Sequence, residues 1–295
     1  MRVVETFAAA RSWRRGRTSL VPTMGYLHEG HLSLVQIARE RADTVMVSLF
    51  VNPLQFDDPA DLDRYPREAA GDAALLEDAG CDVLFAPTLE EMYPAPPATR
   101  VSVADLAATM EGAHRPGHFD GVATVVAKLF AGLQPDTAVF GRKDAQQLAV
   151  VTRMVEDLSF PITIVPGPTR REQDGLALSS RNVFLNAEER TAALAISRGL
   201  MAAAGACEAG ERSAPVLEGL VSGEIAGSTL RLDYVELAAA ADTSRMTVLD
   251  RPGFLAVAAY AGRTRLIDNV WLWPDGTADT GALLEGPSVL YQGGI

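Results

Sequence analysis

Through the first half of the chain, short runs of β-branched and apolar residues alternate with stretches in which apolar positions recur every three or four residues. The first pattern is that of strands, the second that of helices with one buried face, and their alternation predicts βαβ units and a parallel sheet. Strands are predicted near Leu20–Pro22, Thr44–Val51, Asp82–Ala86, Thr137–Phe140 and Ile162–Val165. Val122, Val125, Val126, Leu129, Phe130 and Leu133 keep the spacing of one helix face, and a further helix is expected over Asp144–Leu158 with Leu148, Val151, Val155 and Leu158 inward. Pro94–Pro97 and Pro166–Pro168 are the clearest breaks. Beyond Pro168 the texture changes to an Ala-rich helix over Ala187–Ala206, a second over Ala214–Val221, and strands at Leu230–Leu237, Leu255–Tyr260 and Thr264–Trp273. Helices followed by consecutive strands predict a smaller α+β domain, so the expected division is 1–167 and 168–295, with an irregular tail from Pro274.

Composition narrows the function classes. Of 295 residues, 48% are hydrophobic, which supplies a core and excludes a disordered chain. With 26 Lys and Arg against 38 Asp and Glu the net charge is −12, which argues against a broad grip on nucleic acid but not against a small anion in a locally basic cleft. No apolar run reaches the roughly 20 residues of a membrane span, and the N-terminus, with Arg2, Glu5, Arg11, Arg14 and Arg15, has no signal-peptide core. A cytoplasmic protein without nucleic-acid or membrane partners is therefore expected. Cys81 and Cys207 fit no metal or redox spacing and are read as buried thiols.

The first predicted strand runs into Pro22-Thr23-Met24-Gly25-Tyr26-Leu27-His28-Glu29-Gly30-His31, followed at once by Leu34, Val35 and Ala38. A strand end, a glycine turn and a helix start offer backbone N–H groups and a positive dipole end to phosphate, with two imidazoles on one side. A zinc pair would need H-E-x-x-H with histidines at i and i+4, whereas these stand at i and i+3. Read alone, the string is equally a helix cap with two surface histidines.

Together with Phe50-Val51-Asn52-Pro53-Leu54-Gln55-Phe56, Tyr65-Pro66-Arg67, Phe140-Gly141-Arg142-Lys143-Asp144-Ala145-Gln146-Gln147-Leu148 and Leu178-Ser179-Ser180-Arg181-Asn182, this string resembles the ordered motifs of the pantothenate synthetase (pantoate-β-alanine ligase) family. That family sits in the H-x-G-H nucleotidyltransferase superfamily, related to class I aminoacyl-tRNA synthetases. The resemblance covers about residues 18 to 270. It implies a Rossmann-like nucleotide- and pantoate-binding domain and a lid, acting on ATP, with Mg²⁺, pantoate and β-alanine, in a homodimer.

By the same resemblance His28, His31 and Lys143 contact phosphate, Ser179, Ser180 and Arg181 replace the mobile loop of the synthetases, and Pro22, Thr23, Met24, Gly25, Gly141 and Asp144 complete the ATP site. Met24, Asn52, Gln55, Phe56, Tyr65 and Gln147 are assigned to pantoate, whose carboxylate, hydroxyls and gem-dimethyl carbon ask for amides beside an apolar wall. Arg115, in the turn-rich His114–Gly121 segment, is either a substrate contact or part of an exposed connection. Read alone, Lys143, after a strand at the carboxyl end where ligands of open sheets collect, is a ligand contact in preference to an ordinary exposed lysine, whereas Ser179–Asn182 is a polar turn and the glutamines are helix-edge residues. Arg142 and Ala145 depart from the family by replacing an acidic and an aromatic residue beside Lys143, so a rim altered in shape or charge is expected. Rival classes are an adenylyltransferase acting on a phosphorylated substrate and an inactive nucleotide-binding partner. A tRNA synthetase is disfavoured by charge and size.

Overall fold

The computed structural model describes residues 1–56, 59–94 and 97–291, so residues 95 and 96 of the expected Pro94–Pro97 break lie outside the described residues. The chain forms two compact units: 1–27, 31–141 and 150–167 make one, and 28–30, 142–149 and 168–295 make the other.

The first unit is built on six strands, β1 (Arg2–Val4), β2 (Thr18–Thr23), β3 (Thr44–Leu49), β4 (Val83–Phe85), β5 (Thr137–Gly141) and β6 (Thr163–Gly167). They pair in the order β1-β4-β3-β2-β5-β6, every pair parallel. The five strands expected from the sequence are all present. The edge strand β1 was not expected, because three residues with exposed Arg2 and Val3 carry no alternation to read.

Helix His118–Leu133 buries its whole expected face, and Phe130 meets Phe140 and Phe160 edge-on. The next helix runs Ala145–Asp157 and buries Leu148, Val151 and Val155, together with Val150 and Met154. Leu158 corrects the expectation: it is exposed, since the helix stops at Asp157 and Ser159 takes a left-handed φ of 52° that turns the chain toward β6.

The second unit lays helices Ala187–Glu208 and Ala214–Ala226 over an antiparallel sheet. Its strands are β7 (Arg170–Arg171), β8 (Arg231–Ala239), β9 (Gly253–Ala261), β10 (Thr264–Leu272), β11 (Ala278–Asp279) and β12 (Ala282–Leu283). The main sheet has the order β11-β10-β9-β8, and β12 pairs separately with β7. Asn186 starts the long helix with a reciprocal capping box to Glu189. Arg171 and Asp268, 2% and 4% exposed, form a bidentate pair at 2.6 and 3.0 Å in its interior. The tail is also corrected: β11, β12 and a turn of 3-10 helix at Val289–Tyr291 order it. Its pairing is long-range and two residues at a time, which leaves no periodicity in the sequence.

Both cysteines are buried and free, and burial pushes the Cys81 thiol up to about 12. Among the described residues no helix is long and apolar enough to cross a membrane.

Candidate active site

In the first unit the strand order reverses between β2 and β5: β3 and β4 lie to one side of β2, β5 and β6 to the other. Ligands of open parallel sheets collect at the carboxyl ends of strands flanking such a reversal. Pro22 helps to open the crevice there. The Thr23 carbonyl accepts Phe50 N–H on the β3 side and the Thr18 carbonyl accepts Asp136 N–H on the β5 side. Alternation therefore turns Pro22 toward β5, where it has no N–H to give, and β2–β5 pairing ends at Leu20 while β2–β3 pairing continues to Thr23.

The chain leaves β2 through two successive left-handed residues, Gly25 (φ 86°) and Tyr26 (φ 53°). A residue that sequence reading missed holds them. Asp72, 2% exposed, accepts Tyr26 N–H at 2.8 Å and Leu27 N–H at 2.7 Å. It lies on helix Ala69–Asp78, and no local signal in the sequence links it to a turn 45 residues away. Thr23 Oγ1 donates to the Ser48 carbonyl at 2.8 Å, fixing the strand end.

His28 follows, buried, and Nδ1 accepts Gly30 N–H at 3.1 Å. With Nδ1 accepting, the proton of a neutral ring sits on Nε2. A Cβ at Gly30 would come within 2.8 Å of the His28 ring, so the glycine of the motif is required by this close approach. His31 is half-buried in the first turn of helix Glu29–Arg39, beside its positive dipole end.

The amide cluster lies after β3. Asn52 caps the turn Pro53–Gln55 and is fully engaged: Nδ2 donates to Gln55 Oε1 (3.1 Å) and the Gly121 carbonyl (3.0 Å), and Oδ1 accepts Leu54 N–H (3.3 Å) and Tyr93 Oη–H (2.9 Å). Through these bonds Asn52 orients Gln55. Gln55 Nε2 donates to Met24 Sδ at 3.0 Å, so the expected pantoate residues Met24 and Gln55 are brought together. One N–H and one carbonyl lone pair of Gln55 remain without a partner among the described residues.

Arg115 and His118 converge on the Gln55 carbonyl, at 3.2 and 2.8 Å. Arg115 thus fixes the backbone of a site residue. Phe56 and Tyr65 stack edge-on with centroids 5.7 Å apart.

Within the second unit the turn Arg142–Asp144 follows β5, and Asn269 Nδ2 holds the carbonyls of Arg142 (3.0 Å) and Lys143 (2.7 Å). Trp271 Nε1 donates to the Arg142 carbonyl as well, at 3.4 Å. The Arg142 guanidinium engages Asp279 and lies over the Trp271 and Trp273 rings, so its charge is used inside the unit. Lys143, Asp144 and Gln147 are half-buried, and Ala145 is buried.

Ser179 Oγ accepts Arg181 N–H at 3.2 Å and starts a 3-10 turn over Ser180–Phe184. Buried Asn182 ties this turn to Glu172 (2.9 Å) and to the Ala177 carbonyl (3.0 Å).

An open, all-parallel sheet with a glycine-histidine turn at its strand-order reversal, followed by a helical and antiparallel unit, defines an α/β protein of the Rossmann-like class. Within that class the chain belongs to the pantoate-beta-alanine ligase family, whose profile matches residues 2–271. It is 51% identical over 258 residues to the pantothenate synthetase of Thermoanaerobacter sp. (strain X514), covering 87% of this chain and 91% of that one. To that of Pseudomonas fluorescens (strain Pf0-1) it is 52% identical over 268 residues, or 90% and 94% of the two chains. Among solved structures, pantothenate synthetase from Thermus thermophilus superposes with a TM-score of 0.87 at 48% identity, covering 91% of this chain and 98% of that one. Pantoate-beta-alanine ligase from Francisella tularensis, complexed with β-γ ATP and β-alanine, gives 0.76 at 32% identity, with coverage of 91% and 97%.

Proposed function

We propose that this ligase condenses pantoate with β-alanine to pantothenate through a pantoyl adenylate, at a site formed by the residues described above. In the first step a pantoate carboxylate oxygen attacks the α-phosphorus of ATP in line, the bond to the β-phosphate oxygen breaks and pyrophosphate leaves. In the second the β-alanine amine attacks the adenylate carbonyl, AMP leaves, and the ammonium proton is lost. Charge grows on the leaving pyrophosphate and the α-phosphoryl oxygens, and fixed donors aimed at those atoms are what accelerate such a step.

His28, His31 and Lys143 supply those donors. Pro22, Thr23, Met24, Gly25, Gly141 and Asp144 shape the nucleotide site, and Ser179, Ser180 and Arg181 grip phosphate. Asn52, Gln55, Gln147, Met24, Phe56 and Tyr65 take pantoate. The observation that carries this part is the Gln55 amide, held by Asn52 and Met24 with one donor and one acceptor to spare. That complement fits a ligand with a carboxylate and hydroxyls.

No group of three or more His, Cys, Asp or Glu among the described residues makes a metal cage, so Mg²⁺ enters this proposal as part of the nucleotide substrate. When bound to the triphosphate it offsets negative charge. The amine needs no dedicated base, because the acyl adenylate is already activated and positioned attack suffices. Residues 1–167 as the nucleotide and pantoate domain, 168–295 as a lid, a homodimer and a cytoplasmic location complete the proposal.

The test is the product set. With pantoate, β-alanine and Mg-ATP the expected nucleotide product is AMP, with pyrophosphate, and pantoate alone supports pyrophosphate–ATP exchange. ADP and phosphate would indicate an acyl phosphate and exclude the adenylate, and ATP binding without pyrophosphate release would indicate an inactive nucleotide binder.

A further inference from the structure

Residues 274–291 lie beyond residues 2–271 matched by the family profile, yet the rest of the second unit binds them at several points. Asp279 takes the guanidinium of Arg142, the residue before Lys143. Ser288 Oγ and Val289 N–H each donate to the carboxylate of Glu29, the residue after His28, both at 2.7 Å. Tyr291 Oη–H donates to Glu172 at 2.9 Å, and Asn182 Nδ2, from the residue after Arg181, donates to the same carboxylate oxygen at 2.9 Å. Ser288 and Leu290 are buried.

We propose that residues 274–291 form a strap that positions the histidine turn, the lysine turn and the serine loop for ATP, with Asp279, Ser288 and Tyr291 as positioning residues. The inference rests on the ATP site proposed above. Three separate turns carry phosphate-binding side chains, and one continuous segment bonds a neighbour in two of them directly and reaches the third through Glu172. Loops that must hold groups to within a fraction of an ångström need such external support. Glu29 gives the strap a second effect. Its carboxylate sits in the string that receives a polyanion, and two donors occupy it. Released, it would repel the triphosphate.

The experiment compares the full chain with a chain ending at Pro287, reading calorimetric affinity for α,β-methylene-ATP, KM for ATP and pantoate in pyrophosphate exchange, and the thermal midpoint. Loss of three charge-assisted bonds, two to Glu29 and one to Glu172, and release of Glu29 should weaken the analogue and raise KM for ATP about tenfold, with KM for pantoate within about twofold. Glu29→Gln in the shortened chain should recover part of the ATP affinity, which a general loss of folded protein would not allow. Should the shortened chain not fold, Ser288→Ala and Asp279→Asn in the full chain carry the test, each with about threefold weaker analogue binding. The strap is overturned by analogue affinity within about twofold of wild type in these variants, or by pantoate and ATP weakening together. A wild type that binds the analogue but shows no pantoate-dependent exchange would overturn the ligase site instead, and leaves the binding comparison intact.

Discussion

The buried carboxylate of Asp72 accepts the backbone N–H of Leu27 at 2.7 Å, immediately before the first histidine of the H-x-G-H string. With its second bond to Tyr26 N–H, it stabilises two left-handed residues that the chain would otherwise adopt at a cost.

Asp72→Ala leaves buried N–H groups unpaired and should lower stability by about 1–3 kcal/mol, with pantoate-dependent exchange falling beyond what the unfolded fraction explains. Burial pushes the Asp72 carboxyl above its ordinary value of 3.8, although the bonds from Leu27 and Tyr26 pull it down. The folded state therefore holds this proton more tightly than the unfolded chain does. Its contribution to stability is present at low pH and is lost as pH rises through the folded value. Urea midpoints should show the advantage of wild type over Asp72→Asn largest below pH 3.8 and smaller at neutrality. A gap independent of pH would contradict this assignment.

Gly121 faces the turn that carries Gln55: a Cβ there would run into the Leu54 carbonyl and lie 2.7 Å from Gln55 Cα. Both neighbours are backbone, so Gly121→Ala must push helix His118–Leu133 away from the turn. An overpacking cost of about 1–3 kcal/mol is expected, with KM for pantoate raised and KM for ATP little changed. Unchanged kinetics in a fully folded variant would show that the turn adapts.

Lys143→Ala should lower adenylate formation by about two orders of magnitude, the scale of losing one well-placed charge-stabilising group. His28→Ala and His31→Ala should act in the same direction. Pyrophosphate exchange measures all three, and near wild-type rates in folded variants would remove these residues from the phosphate site.

Gln55→Leu and Gln147→Leu should weaken pantoate while narrowing discrimination against an analogue lacking one hydroxyl. In wild type an amide left unpaired by the analogue costs about 1–3 kcal/mol, or roughly tenfold or more in specificity. Exchange rates with both substrates decide the matter. Equal discrimination in all three proteins would mean that the glutamines do not read the hydroxyls.

The sequence by itself determined the parallel strands, the amphipathic helices and the five strings of chemistry-bearing residues, because period and motif are local properties of the chain. Val122 to Leu133 announce their helix face without any partner in view, and His28-Glu29-Gly30-His31 is recognisable as a motif in four residues. Only the tertiary structure decided which side chains work through others. Asn52 holds Gln55 through a network of four hydrogen bonds, and Arg142 looks like a rim charge until Asp279 and two tryptophans take it up. Asp72, His118, Asn269 and the tail residues Ser288 and Tyr291 act on chain distant in sequence. Their effect depends on hydrogen-bond geometry that exists only after packing has brought the segments together, so no spacing along the chain records it.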